Sequence, residues 1–276
     1  MRRRKGSRVG LAVATALVVI FLVAPLYWLF VGSLQTGDGI AAVPPQLVPA
    51  DPTLENYVQA FGQHRFGRYI LNSIVVSATA TAVVLGLGIF AGYALARMPI
   101  RGKTPILMGL LMISVFPVIA VVAPLYLMLL KLNWLNSYQG LIVPYVAFNL
   151  PFAIWILRNH FLDVPVALEE SARIDGASNL RIVTKIIVPT VLPGIFTAGV
   201  FCFSACWQEF LMAISFNSSI SSRTIPVGVA LFSGEYTVPY GKLFAGSVAA
   251  VAPIMILVFA FRKTVASGLA AGAVKG

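Results

Sequence analysis

Charged residues are scarce in this sequence of 276 residues. Asp, Glu, Lys and Arg make up 11% of it, whereas soluble domains contain about 25%. Hydrophobic residues make up 59%, and so little charge cannot cover that much apolar surface in water. The composition therefore excludes a soluble globular fold and indicates that lipid surrounds most of the chain.

Cysteine and histidine are scarce as well, with two residues of each type. Cys202 and Cys206 lie on adjacent turns of one predicted helix, with no histidine or carboxylate at metal-ligand spacing, so we expect them to be packing residues. His64 and His160 fall on opposite sides of the membrane in the topology predicted below, so they cannot form a catalytic pair. We therefore expect neither a metal site nor an enzyme active site.

A phosphate-binding loop is also missing. The stretch RGKTP at residues 101–105 resembles the end of the pattern G-x-x-x-x-G-K-[ST], but Arg97 stands where the first glycine belongs. The stretch lies in a short loop between two apolar runs and not in a strand-to-helix turn. This chain is therefore not expected to bind ATP itself.

Long apolar runs are abundant. A helix needs about 20 apolar residues to cross the hydrocarbon core of a bilayer, and these runs lack the alternation of barrel strands. The first run follows a basic start, as in a signal peptide, but its length favours a retained helix. Six predicted transmembrane runs cover approximately residues 9–34, 69–96, 105–130, 138–157, 186–213 and 243–261.

The distribution of lysine and arginine predicts the orientation. Fifteen of these twenty residues lie at the N-terminus, between runs two and three, between runs four and five, or after the last run. The positive-inside rule places these segments, and hence both termini, in the cytoplasm. Juxtamembrane charge facing anionic lipid accounts for the net charge of +11 without a nucleic-acid partner.

The stretch EESARIDGAS, residues 169–178, is polar and lies in the longest predicted cytoplasmic loop, residues 158–185. Asp163 as a cap and Pro165 in the first turn predict that a short helix begins there. Gly176 predicts that this helix ends in a left-handed turn. An acidic and apolar helix suits a groove on a cytoplasmic partner. The alternative is a helix that lies on lipid.

The longer stretch LEESARIDGASNLRIVTKIIVPTVLP, residues 168–193, resembles the signature loop of the membrane subunits of ABC importers. That loop has the pattern E-A-A-x-x-x-G followed by a more distant proline. Glu170, Ser171, Ala172 and Gly176 match the pattern, with Ser171 in place of the middle alanine.

Three further stretches resemble the maltose-permease G-subunit branch of this family, which imports carbohydrates. They are FPVIAVVAPLYLMLLKLNWLNSYQGLIVPY (residues 116–145), CWQEF (206–210) and GLAAGAVKG (268–276). The resemblance implies an all-α integral membrane protein with the type I permease fold of ABC importers. That fold has six transmembrane helices, cytoplasmic termini and a cytoplasmic coupling helix.

The resemblance also implies which residues meet the ATPase. The coupling helix would seat in a cleft of one ATPase subunit, and Lys275 would be a C-terminal contact with the ATPase pair. ATP and magnesium would belong to two cytoplasmic ATPase subunits, so this chain would bind no cofactor or metal. The predicted docking residues of the coupling helix are Glu169, Glu170, Ser171, Ala172, Asp175, Gly176 and Ala177.

Other partners follow from the same resemblance. We expect a second permease subunit, which is a different chain, and an extracytoplasmic substrate-binding protein anchored to lipid. The location would be the plasma (inner) membrane of a prokaryote. The resemblance and the runs predict an N-terminal tail and first helix (1–34), an extracytoplasmic loop (35–68), a core permease domain (69–262) and a cytoplasmic tail (263–276).

Asn149, Trp207 and Glu209 are the candidate residues of the substrate pathway, because proteins hold sugars with aromatic rings and hydrogen bonds. Alternatively, Glu209 reaches interfacial water and Trp207 anchors the aromatic belt. Import of glycerol phosphate or a glycerophosphodiester is the alternative substrate class. A secondary transporter is the alternative outside this family, and it would show internal repeats, broken helices and buried charge.

Overall fold

The computed structural model describes residues 3–62, 65–231 and 239–273, and all regular structure in these ranges is helical. A π-helical turn, Val183–Ile187, lies between two of the short helices. The helices are α1 (Arg3–Ser33), α2 (Gly37–Ile40), α3 (Glu55–Gly62), α4 (Phe66–Arg97), α5 (Lys103–Val115), α6 (Val118–Lys131), α7 (Gln139–Leu162), α8 (Val166–Ile174), α9 (Asn179–Ile182), α10 (Val188–Thr190), α11 (Leu192–Gln208), α12 (Leu211–Phe216), α13 (Ile225–Ala230) and α14 (Tyr240–Ala273).

Within these described ranges, four helices are long and apolar enough to cross a membrane unbroken. They are α1, α4, α7 and α14, and they match the first, second, fourth and sixth predicted runs. Two bent pairs of helices match the third and fifth runs and raise the number of spans to six if each pair crosses once. The prediction of an all-α membrane protein is confirmed.

The bends have a local cause. Helices α5 and α6 meet at 85°, and a second bend of 80° separates α10 from α11. At the first bend Pro117 has no N–H to continue the helix, and it forces Phe116 into an extended conformation with ψ 134°. At the second bend Val191 leaves helical geometry between Pro189 and Pro193. Broken helices were expected of a secondary transporter. This fold contains them too, so they do not distinguish the two classes of protein.

The chain divides into two compact units. The first comprises Met1–Gly67 and Gly228–Ala252, as far as they are described. In this unit α3 is hydrogen-bonded to the end of α1, because the Ser33 and Tyr57 hydroxyls are 2.7 Å apart. The Asn56 amide donates to the Ser33 carbonyl oxygen at 3.1 Å as well.

The second unit comprises Arg68–Val227 and Pro253–Gly276. One buried cluster joins α4, α6, α7, α11 and α12 around the fully buried Tyr145. A second cluster joins α4 and α7 to the short helices that follow, around Leu157 and Phe161. This second cluster supports the polar segment that the sequence had singled out.

Helix α4 meets α7 through glycine. A β-carbon on Gly92 would lie 3.2 Å from the backbone nitrogen of Arg158, and one on Gly88 would lie 3.1 Å from Cδ1 of Leu157. Small residues at such positions let two helices approach closely where lipid offers no hydrophobic drive. Gly88 and Gly92, four residues apart on α4, therefore form a close contact with α7.

Gly92→Leu should therefore destabilise the protein by about 1–3 kcal/mol, since the leucine forces α4 and α7 apart. The matched control is Gly86→Leu on the same helix, where nothing lies within 4 Å of a new β-carbon. The measurement is the thermal unfolding midpoint in mild detergent. Equal midpoints for the two variants would show that the contact of α4 with α7 is not close-packed.

Candidate functional site

The polar segment folds as two short helices joined by a sharp turn. Helix α8 begins after Pro165, which occupies the N-cap position instead of the predicted first turn. Asp163 is the C-cap of α7 and not the N-cap of α8, so that part of the prediction is wrong. The chain needs only Asp163–Pro165 to pass from α7 to α8, and Pro165 has an extended backbone there with ψ 131°.

Gly176 ends α8 in the predicted left-handed conformation, with φ +78°. The Gly176 N–H donates to the Arg173 carbonyl, and the Ala177 N–H donates to the Ala172 carbonyl at 2.9 Å. These two bonds form a Schellman motif, which satisfies carbonyl groups that the helix end leaves open. Ser178 then caps α9 by accepting from the Arg181 N–H. The turn therefore has a fixed shape.

One face of α8 is open to solvent. Ile174 is 86% exposed, and Glu170, one helical turn earlier, is exposed on the same face. Ser171, Asp175 and Gly176 are exposed as well. An exposed apolar side chain beside carboxylates on a short helix can enter a groove on a partner. The structure thus brings five residues of the segment together at one surface.

The opposite face of α8 is buried. Ala172 is 7% exposed and packs in the second cluster, and Ala177 is half-buried against the same cluster. Glu169 is 1% exposed. Its carboxylate is therefore not on the surface that the prediction assigned to it, because the side chain points into this chain.

Three side chains surround the Glu169 carboxylate. The Tyr93 hydroxyl donates to one oxygen at 2.8 Å, and the Arg97 Nε donates to the other at 2.7 Å. Arg173 on the next turn of α8 lies 3.6 Å away. The Arg97 guanidinium also donates to the carbonyl of Val164, between α7 and α8. A charge this buried is stable only when it is paired in this way.

The predicted pathway residues do not share one site. A cavity of about 420 Å³ lies within the second unit, and Asn149 lines it, whereas neither Trp207 nor Glu209 does. The Asn149 amide donates to the Tyr145 carbonyl at 2.8 Å, one helical turn away. The cavity is lined by Asn149, Phe152, Ala153, Ala198, Val200, Phe201, Cys202, Ser204, Ala205, Gln208 and Val258.

Glu209 has a structural role that the sequence did not reveal. It lies in the break between α11 and α12, and its carboxylate accepts from the Tyr145 hydroxyl at 2.7 Å. It also accepts from the N–H groups of Met212 at 2.8 Å and Ala213 at 3.1 Å, so it caps α12. Trp207 is buried and stacks on Phe203 at 5.7 Å.

Phe152, Phe201 and Gln208 were not selected from the sequence, although all three line the cavity. A signal existed, because Phe201, Ser204 and Gln208 recur at helical spacing on one face of α11. Nothing in the sequence showed that this face lies opposite α7. Lys275 lies outside the described residues.

Several known transport proteins resemble this chain in sequence. Residues 84–270 match the family model of the binding-protein-dependent transport system inner membrane component. The trehalose/maltose transport system permease protein MalG of Thermococcus litoralis is 37% identical over the whole of both chains. The sulfoquinovosyl glycerol transport system permease protein SmoH of Agrobacterium fabrum is 36% identical over 96% of this chain and 93% of its own.

A solved structure has the same fold. The crystal structure of a bacterial ABC transporter involved in the import of the acidic polysaccharide alginate contains a chain that superposes with a TM-score of 0.78. The superposition covers 95% of this chain and 99% of that chain, at 22% identity. The family model covers most of this chain, and the two relatives match it almost end to end. The chain therefore belongs to the binding-protein-dependent transport system inner membrane components and is an ABC importer permease similar to MalG.

Proposed function

We propose that this chain is one permease subunit of an ATP-driven importer for a mono- or oligosaccharide. It forms half of the pathway with a second permease chain, and an extracytoplasmic binding protein anchored to lipid delivers the sugar. Two cytoplasmic ATPase subunits hold ATP and magnesium, and they act on this chain through α8. The multi-pass chain lies in the plasma membrane of a prokaryote with both termini in the cytoplasm, as its basic loops favour.

The single observation that carries the proposal is the open face of α8. Ile174 stands 86% exposed beside Glu170, and the Schellman turn at Gly176 holds this face in one shape. Apolar anchors in helix-in-groove complexes recur at helical spacing and enter a groove on the partner. Glu170 and Asp175 would then meet basic groups at the rim of that groove. Glu169 takes no part in this surface.

The substrate class rests on the relatives and on the cavity. The printed names of the relatives include a trehalose/maltose system and a trehalose system of Mycobacterium tuberculosis that is 34% identical. The cavity lining combines the polar Asn149, Ser204 and Gln208 with the rings of Phe152 and Phe201. Rings and neutral hydrogen-bonding groups suit a sugar. Among the described residues, none that lines the cavity is a lysine or arginine, which disfavours glycerol phosphate as the substrate.

Ile174→Asp should reduce recovery of the ATPase subunits with the tagged chain by at least about ten-fold, because a charge in an apolar groove removes a central anchor. The measurement is quantitative mass spectrometry of the complex after purification in mild detergent. Ile220→Asp is the matched control, since Ile220 is 52% exposed outside α8. Recovery of a wild-type chain that is free of ATPase subunits would refute the proposal.

Gln208→Leu should lower uptake of radiolabelled trehalose or maltose into proteoliposomes by about ten-fold, because one hydrogen bond to the sugar is lost. Gln208 is exposed, so the unfolding midpoint should stay unchanged. Gln139→Leu is the control, since Gln139 is exposed on α7 and does not line the cavity. Normal uptake by the Gln208 variant would exclude the cavity from the pathway.

Glu209→Gln should lower the free energy of unfolding by about 1–3 kcal/mol, because the amide cannot accept all three bonds that the carboxylate accepts. The check is the thermal midpoint, compared with Glu170→Gln at an exposed position of α8. If stability is unchanged while sugar uptake is lost, Glu209 contacts the substrate, as the sequence predicted.

A further inference from the structure

We propose that Glu169 is a positioning residue that fastens the coupling helix α8 to the transmembrane helix α4, so that ATPase movement reaches α4 directly. Glu169, Tyr93 and Arg97 together are called the clasp. The proposal rests on the proposed function, and it replaces the docking role that family resemblance implied for Glu169.

The first argument is that two adjacent carboxylates face different neighbours. Glu170 is exposed on the docking face, whereas Glu169 is 1% exposed on the opposite face of the same turn. A partner that binds the open face of α8 therefore cannot reach Glu169. The two residues must act on different neighbours, and for Glu169 these neighbours are Tyr93 and Arg97.

The second argument is the form of the contact. Helix α8 has nine residues, which is too short to hold a fixed position by its own stability. On its buried face Ala172 offers only a methyl group to the core. The Arg97 side chain is 12% exposed, so the ion pair with Glu169 is largely desolvated and has a directional geometry. The geometry of these hydrogen bonds restricts the orientation of α8 as well as its distance from α4.

The third argument is that contacts continue from the clasp along α4 to the cavity. Tyr93 and Arg97 lie one turn apart on α4, and the Tyr93 ring meets Phe161 of α7 edge-on at 6.0 Å. Further along α4, the β-carbon position of Gly88 lies 3.9 Å from Ala153, which lines the cavity. Movement of α8 would thus pass through α4 to the wall of the cavity.

The experiment compares the double variant Glu169→Gln/Arg97→Gln with the wild-type chain, each purified as a complex with its partner subunits. Removal of both charges leaves no unpaired buried charge, so this variant should fold even where Glu169→Gln alone does not. Spin labels at Ala167→Cys on α8 and Gly86→Cys on α4 report the distance between the two helices. Both labelled positions are exposed.

In the wild-type background the distance between the labels should stay the same with and without ATP, because the clasp makes α8 and α4 move together. In the double variant ATP should change this distance. Uptake of trehalose or maltose per ATP hydrolysed should fall about ten-fold, which is a typical size for coupling between sites, while the ATPase subunits still co-purify. Tyr93→Phe, which keeps the ring, should lower uptake per ATP by about two-fold.

The outcomes separate the two proposals. A wild-type complex without ATPase subunits refutes the proposed function. An unchanged label distance and normal uptake per ATP in the double variant refute the clasp alone. A third outcome also refutes the clasp: the double variant loses the ATPase subunits, whereas Tyr93→Phe retains them. That result would show that Glu169 is a docking residue. Glu170→Gln serves as the control that should weaken ATPase recovery without changing the label distance.

Discussion

Lipid offers no hydrogen-bond partner to a backbone amide, and this constraint governs the whole molecule. Within the membrane-spanning part, backbone groups that leave a helix must find partners inside the chain. Where helices end or break, polar side chains form hydrogen bonds with these backbone groups. Glu209 caps α12 where α11 ends, and Asn72 donates to the carbonyls of Ser221 and Arg223. Glu209 and Asn72, two polar residues of the apolar runs, therefore serve the backbone.

The same constraint explains why the proposed contact with the ATPase lies outside the apolar runs. Outside the apolar runs, a helix can keep one face buried in the chain and leave the other open to a partner. Helix α8 does this with two neighbouring carboxylates, Glu169 inside and Glu170 outside. Under the proposed function the open face meets an ATPase subunit, and the buried face reaches α4 through Arg97. One short helix can thus receive a movement and pass it on.

Much of the fold follows from local patterns. The apolar runs predicted the long helices, because hydrophobicity over a span is a property of consecutive residues. Gly176 predicted its own left-handed turn, since glycine alone adopts that conformation without cost. The bends at Pro117 and Val191 were missed, although proline marks both places. Hydropathy is averaged along a window, and that average conceals a change of direction between two helices.

The candidate site was predicted only where it is continuous in sequence. The sequence by itself determined that the chain is a helical membrane protein, where its long apolar helices lie and that the segment 169–178 lies outside them, because those points depend on composition and local motifs. Only the tertiary structure decided that Glu169 is buried against Arg97, that Glu209 is a cap and that Gln208 faces a cavity. Those outcomes depend on which faces of distant helices meet, and contact between distant helices leaves no periodic signal in either one alone.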